Sequence, residues 1–172
     1  QYSCAYWPEG VTTLAEAQFA KLSHIAKKLA LSPGQDVLDI GCGWGGMAIH
    51  LAKNHDVHVT GITLSEEQAA LARERVRGTP AEGRCHFEFR DYRDLKGQYD
   101  AVVSIERFEA VGEAWWPTYF SKVKECLRPG GRAAVQSITI DNARFDDYRR
   151  GTDFIQQYIF PGGMLPSPER FH

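Results

Sequence analysis

The sequence of 172 residues predicts an α/β fold: a doubly wound, mostly parallel sheet with helices on both faces. Three observations predict it. The short apolar run Val37-Leu38-Asp39-Ile40 leads directly into a turn containing Gly41, Gly43, Gly45 and Gly46, as when a strand buried on both faces meets a ligand site. Apolar runs of strand length alternate with segments of helical periodicity up to about residue 140. A composition of 43% hydrophobic and 24% charged residues is that of a globular core under a solvated surface, which excludes a disordered chain.

The elements follow in order. Thr13 and Glu16 form a capping box opening a helix through about Leu29, with Leu22, Ile25 and Leu29 on one face, and Ser32-Pro33-Gly34 ends it. The first strand and glycine turn lead into a helix over Met47 to Asn54. A second strand spans Val57 to Thr63, and a helix from Ser65 to Arg77 opens on the capping pair Ser65 and Gln68. Cys85 to Phe89 and Ala101 to Ile105 are the third and fourth strands. A helix from Ala114 to Leu127, the turn Arg128-Pro129-Gly130-Gly131 and a fifth strand through about Ile140 complete the alternation. Ligands of such sheets lie outside the carboxyl ends of the strands, which here carry Gly41, Thr63, Asp91 and Glu106.

Composition narrows the function. A net charge of −2 and the absence of one long basic stripe argue against a nucleic-acid partner. Cys4, Cys42, Cys85 and Cys126 are widely spaced with no C-x-x-C pair, so no metal site and no disulfide framework is expected, and a reducing cytoplasm is the expected compartment. No signal peptide and no membrane-spanning apolar run is found, so any lipid contact is expected to be peripheral. The histidines (His24, His50, His55, His58, His86, His172) fall mostly on helix surfaces and loops, and none is assigned a catalytic role.

The glycine turn alone fits more than one cofactor, since Gly41, Gly43 and Gly46 also satisfy the dinucleotide spacing G-x-G-x-x-G. A dinucleotide site expects an acid at the second strand end, where this chain has Gly61-Ile62-Thr63-Leu64-Ser65. The order Asp39-x-Gly41-x-Gly43-x-Gly45, the acid Asp91 and the run Leu127-Arg128-Pro129-Gly130-Gly131 instead resemble a class I S-adenosylmethionine-dependent methyltransferase.

Five further segments sharpen the resemblance: Tyr2-Ser3-Cys4-Ala5-Tyr6-Trp7, Leu38 to Gly46, Gly61 to Gln68, Phe108-Glu109-Ala110-Val111-Gly112-Glu113 and Tyr158-Ile159-Phe160-Pro161-Gly162-Gly163. Together they are similar to the cyclopropane-fatty-acid synthase and mycolic acid methyltransferase family, over essentially the whole chain. The resemblance implies a Rossmann-like methyltransferase sheet that begins before Gln1 and continues past His172 with further strands, so a partial chain is expected. One domain is expected over residues 1–172, with a lid and helix at 1–34, a cofactor-binding core at 35–140 and the start of a substrate-pocket segment at 141–172.

By the same resemblance, Tyr2 and Ser3 close over the methionine moiety of S-adenosylmethionine, and Asp39, Gly41, Gly43 and Ile105 lie on the cofactor side. Thr63, Leu64 and Gln68 match the ribose and adenine side, and Asp91 and Tyr92 sit where adenine is held. Bland alternatives stand beside these: Gln68 as a cap, Tyr2 as packing, Asp91 as a turn cap.

The resemblance implies methyl transfer to the double bond of an unsaturated phospholipid acyl chain, giving a cyclopropane. An alkene is a weak nucleophile, so the sulfonium methyl must be held in line and the resulting carbocation kept dry until a base takes a proton. Tyr6, Trp7, Phe108, Tyr119, Tyr158 and Phe160 are candidates for an aromatic pocket. In the family the base is a bound bicarbonate, held by positions matching Cys4, Glu109 and the Ile138 backbone, with a His and a downstream Tyr. Here the His position is Gln136, which donates a hydrogen bond but does not titrate near neutrality. Arg107, where an apolar residue is usual, pairs with Glu106 or Glu109 or points to solvent. Three readings therefore stand: the lipid methyltransferase, a small-molecule amine N-methyltransferase, and a noncatalytic cofactor-binding domain.

Overall fold

Every second residue of a strand points to the same face of its sheet, and the first strand of this chain is apolar on both sides. Val37 packs with Leu22, Ile25, Leu51, Val59 and Val103 on one face. Leu38 and Ile40 pack with Ile62, Val102, Phe108, Tyr119 and Val123 on the other. A strand covered twice belongs at the centre of a sheet, and it is there in the computed structural model, which describes residues 2–171.

The elements are α1 (Leu14–Leu29), β1 (Asp36–Ile40), α2 (Gly46–His55), β2 (His58–Thr63), α3 (Glu66–Val76), β3 (Cys85–Phe89), β4 (Tyr99–Ile105), α4 (Trp116–Glu125), β5 (Leu127–Gln136), α5 (Asn142–Arg150) and α6 (Pro168–Phe171). The five strands run parallel in the order β3-β2-β1-β4-β5. Chain order reverses direction between β1 and β4, and the crevice above that switch point is where such a sheet takes its ligand.

The cap of α1 forms as expected: Thr13 Oγ1 accepts from the Glu16 N–H at 3.3 Å, and Glu16 Oε2 accepts from the Thr13 N–H at 3.0 Å. The second capping pair forms only in half. Ser65 Oγ accepts from the Gln68 N–H at 3.2 Å, but the Gln68 side chain turns to Thr63 instead of returning to Ser65.

Two boundaries differ from expectation. The helix expected from Ala114 begins at Trp116, after a 3-10 turn at Glu113–Trp115, because Pro117 lacks an N–H and suits only a first helical turn. The turn Arg128-Pro129-Gly130-Gly131 survives as an interruption within β5, whose pairing steps from Leu127↔Tyr99 to Arg132↔Ala101. The strand ends at Gln136 rather than near Ile140, since the Ile138 N–H leaves the ladder for the Glu109 carboxylate.

After β5 the chain folds back over the second face. Phe145 of α5 is buried there, with Met164 and Phe171 packed against the same cluster. Leu38 lies under this layer with no exposure. Leu38→Ala is expected to lower stability by about 2–5 kcal/mol, read as a lower urea midpoint at unchanged slope.

Candidate functional site

The glycine turn is a backbone requirement before it is a site. Gly41 (φ 81°), Gly43 (φ 53°) and Gly45 (φ 77°) all take the left-handed region. The N–H groups of Gly41 and Cys42 both donate to the Ile62 carbonyl, at 3.0 and 2.9 Å, tying the turn to the end of β2. The glycines differ in what surrounds them. A Cβ at Gly45 would lie 2.9 Å from the Phe87 ring, whereas one at Gly43 would meet nothing within 4 Å. Gly45 therefore serves packing, and Gly43 borders open space.

That space is a cleft of about 360 Å³ above the switch point. Tyr2, Ser3, Asp39, Gly41, Gly43, Thr63, Leu64, Gln68 and Ile105 line it, which is the expected cofactor set apart from Asp91 and Tyr92. Tyr92 borders a small adjoining hollow with Arg90 and Arg107, its ring packed on Tyr119 at 5.4 Å. Asp91 borders neither. Its carboxylate caps the following turn through the Arg93 N–H at 2.9 Å and pairs with the Arg93 guanidinium at 2.7 Å, which holds the acid below its ordinary pKa.

Asp39 is the buried acid of the cleft, 2% exposed. Its Oδ2 has no hydrogen-bond partner among the described residues, and desolvation pushes its pKa up to about 7 despite a hydrogen bond with the Ala48 backbone. An orphaned carboxylate oxygen at the floor of a glycine cradle fits a cationic ligand such as the ammonium-bearing end of S-adenosylmethionine. On the far side Thr63 Oγ1 donates to Gln68 Oε1 at 2.7 Å, fixing a neutral polar pair that fits a ribose or adenine edge.

The amino-terminal strap closes the near side. Gln18 Nε2 donates to the Ser3 carbonyl at 3.0 Å, and Lys21 Nζ donates to Ser3 Oγ at 2.6 Å. Lys21 is only 4% exposed, its pKa pulled down by desolvation and back up by the charge of Glu106. Sequence reasoning passed over this lysine, although its position one turn after Ala17 puts it on the apolar face of α1.

The expected catalytic residues meet beside the cleft as two carboxylate nests. The register Ile105↔Gln136 sets Gln136 next to the end of β4, and the Glu106 N–H donates to the Gln136 carbonyl at 2.8 Å. Gln136 Nε2 then donates to Glu106 Oε1 at 2.8 Å and to Cys4 Sγ at 3.3 Å, while the Cys4 N–H donates to the same Glu106 oxygen at 2.8 Å. Glu109 forms the second nest. Its Oε1 accepts from the Ile138 N–H at 2.5 Å and from Ser137 Oγ at 3.0 Å, and its Oε2 is buried with no partner among the described residues. The motif Pro161-Gly162-Gly163 braces this nest from outside. The Met164 N–H donates to the Glu109 carbonyl at 2.8 Å, and a Cβ on Gly163 would lie 3.2 Å from that carbonyl.

Glu106 takes no part in the expected set, yet it is the hub of Cys4 and Gln136. The donors to which the resemblance assigns bicarbonate are thus engaged by the chain's own carboxylates: Cys4 N–H and Gln136 by Glu106, Ile138 N–H by Glu109. The arrangement does not fit an added anion, which would face two carboxylates without a released donor.

Other expectations are redistributed. Among the described residues Arg107 makes no ion pair with Glu106 or Glu109; it borders the cleft, and its stem covers Gly41 so closely that a Cβ there would lie 2.9 Å from Arg107 Cγ. The aromatic candidates separate: Phe108 and Tyr119 are core, while Tyr6, Trp7, Tyr158 and Phe160 are exposed. His50 is buried rather than superficial, 7% exposed and edge-on to Phe19 at 5.1 Å. His172 lies outside the described residues. Among the described residues no His, Cys, Asp and Glu group is arranged to hold a metal.

Two outcomes follow. Gly43→Leu, projecting into open space, is expected to cost about 1–2 kcal/mol of stability for its left-handed backbone and to abolish the heat of S-adenosylmethionine binding in calorimetry. For Asp39 the folded protein retains a proton that the unfolded chain releases between about pH 4 and pH 7. Stability from this group is therefore full below about pH 4, falls as pH rises to about 7 and is level above. Asp39→Asn is expected to remove this slope, worth up to about 4 kcal/mol, in urea unfolding at a series of pH values.

Known proteins bear on the same geometry. The family described as mycolic acid cyclopropane synthetase matches residues 1–172. The chain is 46% identical to the cyclopropane-fatty-acyl-phospholipid synthase of Escherichia coli over 97% of its own length, and 42% identical to the tuberculostearic acid methyltransferase UfaA1 of Mycobacterium tuberculosis over 98%. It spans 41% of the length of each. Among solved structures it is similar to mycolic acid cyclopropane synthase CmaA1 complexed with SAH and CTAB, with a TM-score of 0.89 and 33% identity, covering 99% of this chain and 63% of that one. With its five parallel strands, its glycine cradle and this match from end to end, the chain belongs to the mycolic acid cyclopropane synthetase family of S-adenosylmethionine-dependent methyltransferases.

Proposed function

We propose that the whole protein transfers the methyl group of S-adenosylmethionine to the double bond of an unsaturated phospholipid acyl chain and closes the product to a cyclopropane. The observation that carries the reading is the Glu106 carboxylate on the wall of a cleft that fits the methyl donor, with the Glu109 nest three residues further along the chain. Carboxylates at that position suit a reaction whose intermediate is a carbocation, since a fixed negative charge stabilises it and accepts its proton. The relatives' names support the coarser part of the reading, one being a cyclopropane synthase and another a probable fatty acid methyltransferase.

In this reading the cofactor supplies an electrophilic methyl group and the protein supplies position and charge. Asp39 and Ser3 bind its amino-acid end, Thr63, Leu64 and Gln68 its nucleoside side, and Ile105 the rim between them. Cys4, Gln136 and the Ile138 N–H orient the carboxylates; Cys4 itself stays a neutral thiol, because its hydrogen bond to Glu106 raises its pKa. Residues 141–172 begin the wall of the acyl pocket. No helix of the described residues is long and apolar enough to cross a membrane, and the protein meets its lipid peripherally, from the cytoplasm.

The test supplies full-length protein with S-adenosylmethionine and vesicles of unsaturated phospholipid, and follows demethylated cofactor and the lipid product. The expected outcome is stoichiometric S-adenosylhomocysteine and a lipid heavier by one methylene, with cyclopropane protons in its spectrum. Methylation of small amines with no lipid product overturns the reading. Glu109→Gln is expected to lower kcat by about 10–100-fold, the range for a hydrogen-bonded charge, at near wild-type cofactor affinity.

A further inference from the structure

We infer that Glu106 is the base of the reaction: a carboxylate built into the chain that takes the proton in place of a bound anion. This rests on the proposed methyl transfer to an alkene and names a catalytic residue for it.

The backbone is the first sign. Glu106 has φ 50°, a left-handed conformation that a side chain adopts at a cost, and it ends β4 at the rim of the cleft. Glycine would occupy that position without strain, so a glutamate there carries a backbone cost that points to a use of its side chain. The second sign is orientation. Oε1 is held by two donors from different parts of the chain, the Cys4 N–H and Gln136 Nε2, both at 2.8 Å. The Cys4 thiol adds a third contact to the same carboxylate, and Glu106 lines the cleft, so this fixed carboxylate faces the place of the reacting groups.

The neighbours exclude rivals. Gln136 has no titratable proton. Glu109 has its Oε1 engaged by Ile138 and Ser137 and its Oε2 buried, and it does not line the cleft as Glu106 does. Lys21 lines the same cleft as Glu106 and is fixed there by its hydrogen bond to Ser3 Oγ.

The step balances without another reactant. The alkene π pair forms the new C–C bond to the methyl carbon as the S–CH₃ bond breaks and its electrons stay on sulfur. A C–H bond of the transferred methyl then gives its electron pair to the cationic carbon, closing the ring, and its proton to the Glu106 carboxylate. The proton leaves from the open rim of the cleft to water.

The test uses the full-length protein in buffer stripped of carbon dioxide, with unsaturated phospholipid vesicles. Wild-type turnover is expected to be unchanged when bicarbonate is removed or restored. Glu106→Gln is expected to lower kcat on the order of 100-fold or more, the usual contribution of a general base, with S-adenosylmethionine affinity within about twofold in calorimetry. Glu106→Gly relieves the backbone strain and opens the place of the carboxylate between Cys4 and Gln136. Its lost activity is expected to return in part with millimolar formate or bicarbonate. Wild-type turnover that depends on bicarbonate, or Glu106→Gln within about tenfold of wild type, overturns the assignment while leaving methyl transfer in place. A wild type that forms no S-adenosylhomocysteine with lipid overturns the underlying reading, and the assignment with it.

Discussion

The site depends on the register in which β4 lies between β1 and β5. Pairing Asp39 with Val103 and Ile105 with Gln136 brings the glycine turn, the Glu106 rim and the Gln136 amide to one end of the sheet. Ser104 Oγ, fully buried, donates to the Ile40 carbonyl at 2.9 Å and fastens the ends of β1 and β4 where the ladder stops. A slip of one residue would reverse every side chain of β4, placing Ser104 and Val102 on the wrong faces and emptying both cores. The same packing that stabilises the sheet therefore fixes the spacing of the functional groups.

Several groups at the site work against stability. Asp39 is buried with an oxygen unpartnered, Lys21 is buried on an apolar helix face, and Glu106 is held at positive φ. Each is a feature that folding alone would select against, by roughly 1–3 kcal/mol for the strained backbone and comparable amounts for an unpaired polar atom. All three line one cleft, which separates the machinery from the scaffold. Such local conflicts are expected where the sequence serves a ligand rather than the fold.

The parallel sheet was legible because Val37, Leu38 and Ile40 pattern a doubly covered strand and because glycines and a capping box punctuate what surrounds them. The half-formed cap at Ser65 was not, since nothing in Ser-x-x-Gln says whether the glutamine will return to the backbone or reach Thr63. The end of β5 depended on a tertiary competitor, the Glu109 carboxylate, which the strand's own residues do not disclose. Lys21 was readable in principle, as a lysine at helical spacing among Ala17, Leu22 and Ile25. The role of Pro161-Gly162-Gly163 was out of reach: only the fold brings Gly163 against Glu109, more than fifty residues earlier in the chain.

Gln136 shows how a site residue changes meaning with its neighbour. Taken alone, a neutral amide where a titratable histidine is usual reads as lost proton handling. Beside Glu106 it reads as part of an exchange, in which the chain supplies the carboxylate and the amide becomes its donor. A histidine at 136 would itself titrate near neutrality, so the charge at the nest would vary with pH, whereas glutamine offers a fixed N–H at all pH values. The amide also reaches Cys4 Sγ, so a single side chain ties the amino-terminal strap to the strand end that carries the carboxylate. The position of the strap and the aim of the carboxylate are thereby set by the same few hydrogen bonds, so a change at Gln136 reaches both.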